Sequence, residues 1–235
     1  MQFKIFALNS SVAMSLALAV CAEAQNYFVY VSNERSGDVT VIDGTTDAAV
    51  ATFPVGKRPR GIHAAPDGQR ILVALSGSRR MAPGVDENRA PADKSADGLG
   101  VIDPVARKLI DRWHVGSDPE QFAISKDGRF ATIANEDDAS TSIVDLGSGQ
   151  SHGKIKVSEE PEGVGVNPGN GEVYVTCEEK GEVFAIDPDQ QRVKRRFSCR
   201  SEVAQRIAPH QSRRRPMGHC DSESRELKET LRPQC

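Results

Sequence analysis

Two sets of charged residues recur in this chain at fixed spacing. Arg60, Glu120 and Glu162 each follow a proline, and Pro59, Pro119 and Pro161 stand at intervals of 60 and then 42. Glu34, Glu136 and Glu178 form a second set, at intervals of 102 and then 42. Charges repeated in register do chemistry only if the fold gathers them, and there they would hold a charged ligand. Scattered and solvated they would do none, since exposed glutamate is what surface loops ordinarily contain. Other chemistries lack their motifs: the sequence has no C-x-x-C-H for haem c, no C-x-x-C, no H-E-x-x-H and no G-x-S-x-G. His63, His114, His152, His210 and His219 show no ligand spacing, and His63 reads as a buried, satisfied histidine. Cys177 reads as a small packing residue. "APDGQ" and "NPGNG" join strand to strand and so offer no helix N-terminus to a phosphate. No catalytic constellation, metal site or cofactor is expected.

The elements that must position these charges come from an internal repeat. The motif "VID" and its variants end at Asp43, Asp103, Asp145 and Asp187, again at intervals of 60, 42 and 42. Two independent rulers therefore give a period of 42 with one 18-residue insertion, placed at 79–96. A period near 40 built of short strands is the signature of propeller blades. The third period shows it: "EQFAIS", "RFATIAN", "TSIVD" and "GKIKV" alternate apolar and polar residues, with Gly- and Asp-bearing turns between. The first period opens at "YFVYVSN", which corresponds to the second strand of the later copies. The expected fold is all-β, a β-propeller of four-stranded antiparallel blades covering 25–197, an incomplete arc of about three to four blades.

In such a blade the chain runs down the innermost strand, up the second, down the third and up the outermost. Loops entering the first strand then share a face with loops between strands two and three. Both charged sets fall on that face, near the central axis, together with the long insertion, and long loops without secondary structure are often functional.

"YVSN" (30–33), "VIDGTTDAAVATFPVG" (41–56), "RPRGIHAAPDG" and "YVT" (174–176) resemble the YVTN family of β-propeller repeats. "DPEQFAISKDG" and "ANEDD" (134–138) are further similar to its subgroup associated with pyrroloquinoline-quinone-dependent catabolism. The resemblance covers roughly 27–197 and implies an exported propeller of about seven blades with no activity of its own. Some propellers similar to it hydrolyse sugar lactones with charged groups at the channel mouth, and Arg60, Glu120 and Glu162 would be the candidates here. A role beside a periplasmic quinoprotein oxidation system is a further alternative.

The segment 1–24 carries one lysine, the apolar run "VAMSLALAV" and Ala22-Glu23-Ala24, the pattern of a secretory signal cleaved after Ala24. This predicts a periplasmic or extracellular protein. No other segment approaches the roughly 20 apolar residues of a membrane span. A net charge of −3 argues against nucleic acid as a partner. From 198 to 235 the repeat frame is lost, with Val203 and Glu229 where a proline and an aspartate are due, so an irregular or out-of-frame tail is expected. An arc of this length cannot close a ring, and repeat arrays tolerate open faces poorly. The expectation is a binding scaffold for an unidentified protein or small ligand, with two copies closing the ring as a homodimer.

Overall fold

The computed structural model describes residues 27–78 and 92–199. The signal-like segment, most of the 79–96 insertion and the tail from 200 onward lie outside the described residues. Among the described residues, fifteen strands form four antiparallel sheets. Blade one contains β1 (Phe28–Asn33), β2 (Asp38–Asp43) and β3 (Ala48–Pro54). Blade two contains β4 (Pro59–Ala64), β5 (Ile71–Leu75), β6 (Gly98–Asp103) and β7 (Lys108–Trp113). Blade three contains β8 (Pro119–Ile124), β9 (Phe130–Asn135), β10 (Ser140–Asp145) and β11 (Ser151–Lys156). Blade four contains β12 (Pro161–Val166), β13 (Val173–Cys177), β14 (Glu182–Asp187) and β15 (Arg192–Ser198). The chain is therefore all-β, an incomplete propeller arc whose innermost strands β4, β8 and β12 lie side by side.

The repeat is written into the backbone as well as the sequence. Each "VID" aspartate accepts a hydrogen bond from the turn that follows it: Asp43 from Thr45 N (2.8 Å), Asp103 from Val105 N (2.8 Å), Asp145 from Ser148 N (2.8 Å) and Asp187 from Gln190 N (3.0 Å). The residue ending each of these turns is left-handed, at Asp47, Arg107, Gly149 and Gln191, with φ of 55°, 52°, 71° and 50°. Register shifts recur at Val41/Ile42, Val101/Ile102, Ile143/Val144 and Ala185/Ile186, the same place in every blade. Such bulges strengthen local twist, as stacked blades require.

Blades pack face to face through alternating apolar residues. Val39, Val41, Phe53 and Val55 of blade one meet Ile71, Val73, Leu75 and Ile102 of blade two. Leu72, Ala74, Leu99 and Val101 then meet Ala131, Ile133 and Val144 of blade three. Phe130, Ile143 and Ile155 meet Val173, Val175, Phe184 and Ile186 of blade four. Each fully buried Val, Leu, Ile or Phe contributes about 1.5–3 kcal/mol, so these three seams hold the arc. On blade one, Val29 and Val31 occupy the positions that Ile71 and Val73 occupy on blade two, yet they are 43% and 38% exposed, because no other strand among the described residues covers that face.

Two sequence expectations change. His63 on β4 is exposed, its ring edge-on to Phe122 with centroids 4.8 Å apart, because it lines the open inner wall of the arc. The insertion ends earlier than the repeat spacing sets it: Lys94–Ala96 form a 3-10 turn with Ala96 buried, and Asp93 N donates to Gly77 O (2.9 Å) to close the base of the loop.

Candidate functional site

The entry to each innermost strand is bent the same way. Arg58, Asp118 and Glu160 precede the three repeated prolines and have φ of 38°, 52° and 51°. A left-handed residue before proline is sterically costly, about 1–3 kcal/mol, and persists only where its surroundings impose it. Here the imposition is a repeated backbone tie. Ser76 N donates to Arg58 O (3.4 Å), Glu136 N to Asp118 O (3.0 Å) and Glu178 N to Glu160 O (2.9 Å). Loop two-three of each blade is thus stitched to the strand entry, which sets three positions side by side on one face. The first holds Arg58, Asp118 and Glu160; the second Arg60, Glu120 and Glu162; the third Glu34, Ser76, Glu136 and Glu178.

The structure brings the charged sets together. Arg60 pairs with Glu120, and its Nη1 lies 3.5 Å from Glu136 Oε2 and 3.8 Å from Asp118 Oδ1. Arg58 donates from Nε to Glu34 Oε1 (3.0 Å) and approaches Asp118 at 3.9 Å. Ser32 Oγ donates to the Arg60 carbonyl (2.6 Å), and Ser76 Oγ donates to Asp118. Blades one, two and three are therefore clasped by two arginines of blade two. Glu120 is only 3% exposed, so the picture of these charges as solvated loop residues does not hold.

Glu162 and Glu178 stand apart from that clasp, and neither enters an ion pair among the described residues. They hydrogen-bond one another, and burial first, then Glu178, then Glu136 push the Glu162 carboxyl above its ordinary value. For Arg60, burial and then Arg58 lower the pKa, opposed by Asp118, Glu136 and Glu34. Counting Glu34, Asp118, Glu120, Glu136, Glu160, Glu162 and Glu178 against Arg58 and Arg60, these three positions hold seven carboxylates and two guanidiniums. Carboxylate oxygens of Asp118, Glu120 and Glu136 lie within 4.8 Å of one another, close enough to hold a cation. Arg60 already occupies the middle of that trio, so a metal ion there would have to displace it.

Arg58, Asp118 and Asp97 are functional-face residues that sequence reading passes over. Asp97, 9% exposed, accepts from Gly77 N (2.6 Å), Ser117 Oγ (3.3 Å) and Asp118 N (3.3 Å), and so fixes the loop that presents Asp118. The signal for the first two is the residue before each proline, which repeats at the same intervals as the residue after it.

No protein-family model matches the chain, and no curated protein sequence matches it. Solved structures do. The hydrazine synthase of Kuenenia stuttgartiensis is similar over 72% of this chain, with a TM-score of 0.59 and 20% identity. The dihydro-heme d1 dehydrogenase NirN, in complex with DHE, is similar over 74%, with a TM-score of 0.55 and 18% identity. The chain spans 45% and 35% of those two structures' own lengths. At such identities the likeness establishes the fold, a β-propeller built of four-stranded blades.

Proposed function

We propose that the chain is an exported β-propeller scaffold of the YVTN type that binds a cationic small ligand or a basic segment of a protein at this charged face, without catalysis of its own. The observation that carries it is the gathering of seven carboxylates and only two guanidiniums on one face, with Glu162 and Glu178 in no ion pair among the described residues. Export rests on the signal-like pattern of segment 1–24, and closure of the ring by a second copy rests on the exposed Val29 and Val31. A hydrolase needs an ionised carboxylate with room beside it for a water or a sugar. Glu120 is buried against Arg60 and offers no such room, which disfavours the lactonase alternative.

The test is titration calorimetry with spermidine and an oligolysine peptide, in low and physiological salt. Saturable binding that weakens at least tenfold in Glu162→Gln/Glu178→Gln is the expected result. Replacing 79–91 by two glycines should leave the melting temperature unchanged, because the Gly77–Asp93 hydrogen bond closes the loop below the cut. Absence of binding by either probe, or steady hydrolysis across a lactone panel, would overturn the proposal.

A further inference from the structure

On the opposite rim, between blades three and four, lies a cavity of about 450 Å³ floored by Phe130 and walled by Asp127, Glu172, Asp187, Pro188 and Asp189. The seam between blades two and three carries the same architecture with its groove filled. There Arg70 donates from Nη1 to the Leu146 carbonyl (2.9 Å) and from Nε to Asp67 Oδ2 (2.9 Å). Its guanidinium lies 5.7 Å from the centre of the Trp113 ring. One repeat further on, Arg70 is replaced by Phe130, Asp67 by Asp127, Leu146 by Pro188 and Trp113 by Ile155. The registers support the match, since Leu99 faces Trp113 in blade two as Thr141 faces Ile155 in blade three.

The third seam has thus kept the acceptor wall but carries Phe130 and Ile155 where the second carries Arg70 and Trp113, with His152 stacked on Phe130 (4.4 Å between centroids) and Arg129 over its ring (4.8 Å). Asp127 is left with Arg129 at 3.8 Å as its ion pair, against 2.7 Å from Arg70 to Asp67. Of the two lysines at the rim, Lys194 is taken up by the wall carboxylate Glu172 (2.8 Å) and Lys126 donates to the Gly169 carbonyl (3.3 Å), so neither pairs with Asp127. Asp187 and Asp189 add two more carboxylates to the wall.

We infer that this cavity binds a small guanidinium compound, which takes the place that the Arg70 side chain holds one seam earlier. The guanidinium meets the Asp127 carboxylate and the Pro188 carbonyl, and its aliphatic stem lies along the edge of Phe130. The site faces away from the charged mouth, so the two can be separated by mutation.

The experiment titrates the full chain with agmatine, and with N-butylurea as a neutral isostere, by calorimetry. Agmatine should bind one to one while butylurea does not. Asp127→Asn, which can retain the turn's hydrogen bonds, should weaken agmatine binding at least fivefold, and Phe130→Arg, which fills the groove from within, should abolish it. Should Phe130→Arg fail to fold, Asp127→Asn decides alone. No saturable binding, equal binding of butylurea, or agmatine binding unchanged in Asp127→Asn overturns the inference. Agmatine binding lost in Glu162→Gln/Glu178→Gln but kept in Asp127→Asn would place the cation at the mouth, overturning this site and supporting the other.

Discussion

Replacing Arg60 by methionine keeps the side chain's length and removes the cation that clasps blade two to blade three. Glu120 would then sit 3% exposed with no guanidinium beside it, and Asp118 and Glu136 would lose the charge now within 3.8 and 3.5 Å. Removing one partner of a buried ion pair costs about 3–5 kcal/mol. Because one fifth of the Arg60 side chain is exposed, water screens part of the loss, and the lower end, about 3 kcal/mol, is expected. Against a total stability of about 5–15 kcal/mol this is a large fraction. Trp113 is the only tryptophan and lies at this same seam, so its fluorescence reports urea unfolding directly. The midpoint should fall with the slope unchanged, as a stability change requires. The double variant Arg60→Met/Glu120→Gln, in which no charge is stranded on Glu120, should recover more than half of the loss. A single-variant loss under about 1 kcal/mol, the value of an exposed pair, or no recovery in the double variant, would refute the clasp.

Two further outcomes follow from the same cluster. The folded pKa of Glu162 is raised above its ordinary value of 4.5, chiefly by burial and then by Glu178, so its ionisation opposes folding; the penalty is absent below the unfolded pKa and full above the folded one. Glu162→Gln should therefore raise the melting temperature at pH 8 and leave it unchanged at pH 4, and a shift that is the same at both would count against this. Asn135, fully buried, accepts from Gly116 N (3.0 Å) and donates to Ser142 Oγ (3.0 Å). Leucine stands at the equivalent position 75, but Asn135→Leu strands the Gly116 N–H and should cost about 1–3 kcal/mol in urea unfolding; a neutral or stabilising result would show that the amide is not needed.

The fold is legible in the sequence because the repeat is enforced by local chemistry. Asp43, Asp103, Asp145 and Asp187 mark the period for the reason that they cap the same turn in each blade. The gathering of Arg60 with Glu120 and Glu136 is legible too, since prolines in register fix which face each loop takes. What the charges do to one another is not. Whether Glu120 is solvated or buried depends on Arg60 reaching it across a seam, which no spacing within one repeat encodes. His63 departs from expectation for a related reason, as an inner strand is covered or bare according to how far the ring extends. The cavity beside Phe130 cannot be read from any single copy, because it is a difference between copies.

That difference is where a repeat protein acquires binding capacity. Copies of one blade present the same backbone groups at every seam, and a side chain in one copy commonly satisfies what its neighbour exposes. At the mouth, Arg60 differs from Glu120 in sign, and the two neutralise each other; Glu120 and Glu162 do not differ, and the second lies beside Glu178 with a raised pKa and in no ion pair among the described residues. On the far rim, Arg70 fills the groove of its own seam, while Phe130 leaves the next one open. Both differences lie in blade four or at its border, and in both the residue that replaces an arginine of blade two is not itself a cation. On the proposed reading, a ligand carrying one positive charge takes at these seams the place that Arg60 and Arg70 hold in blade two.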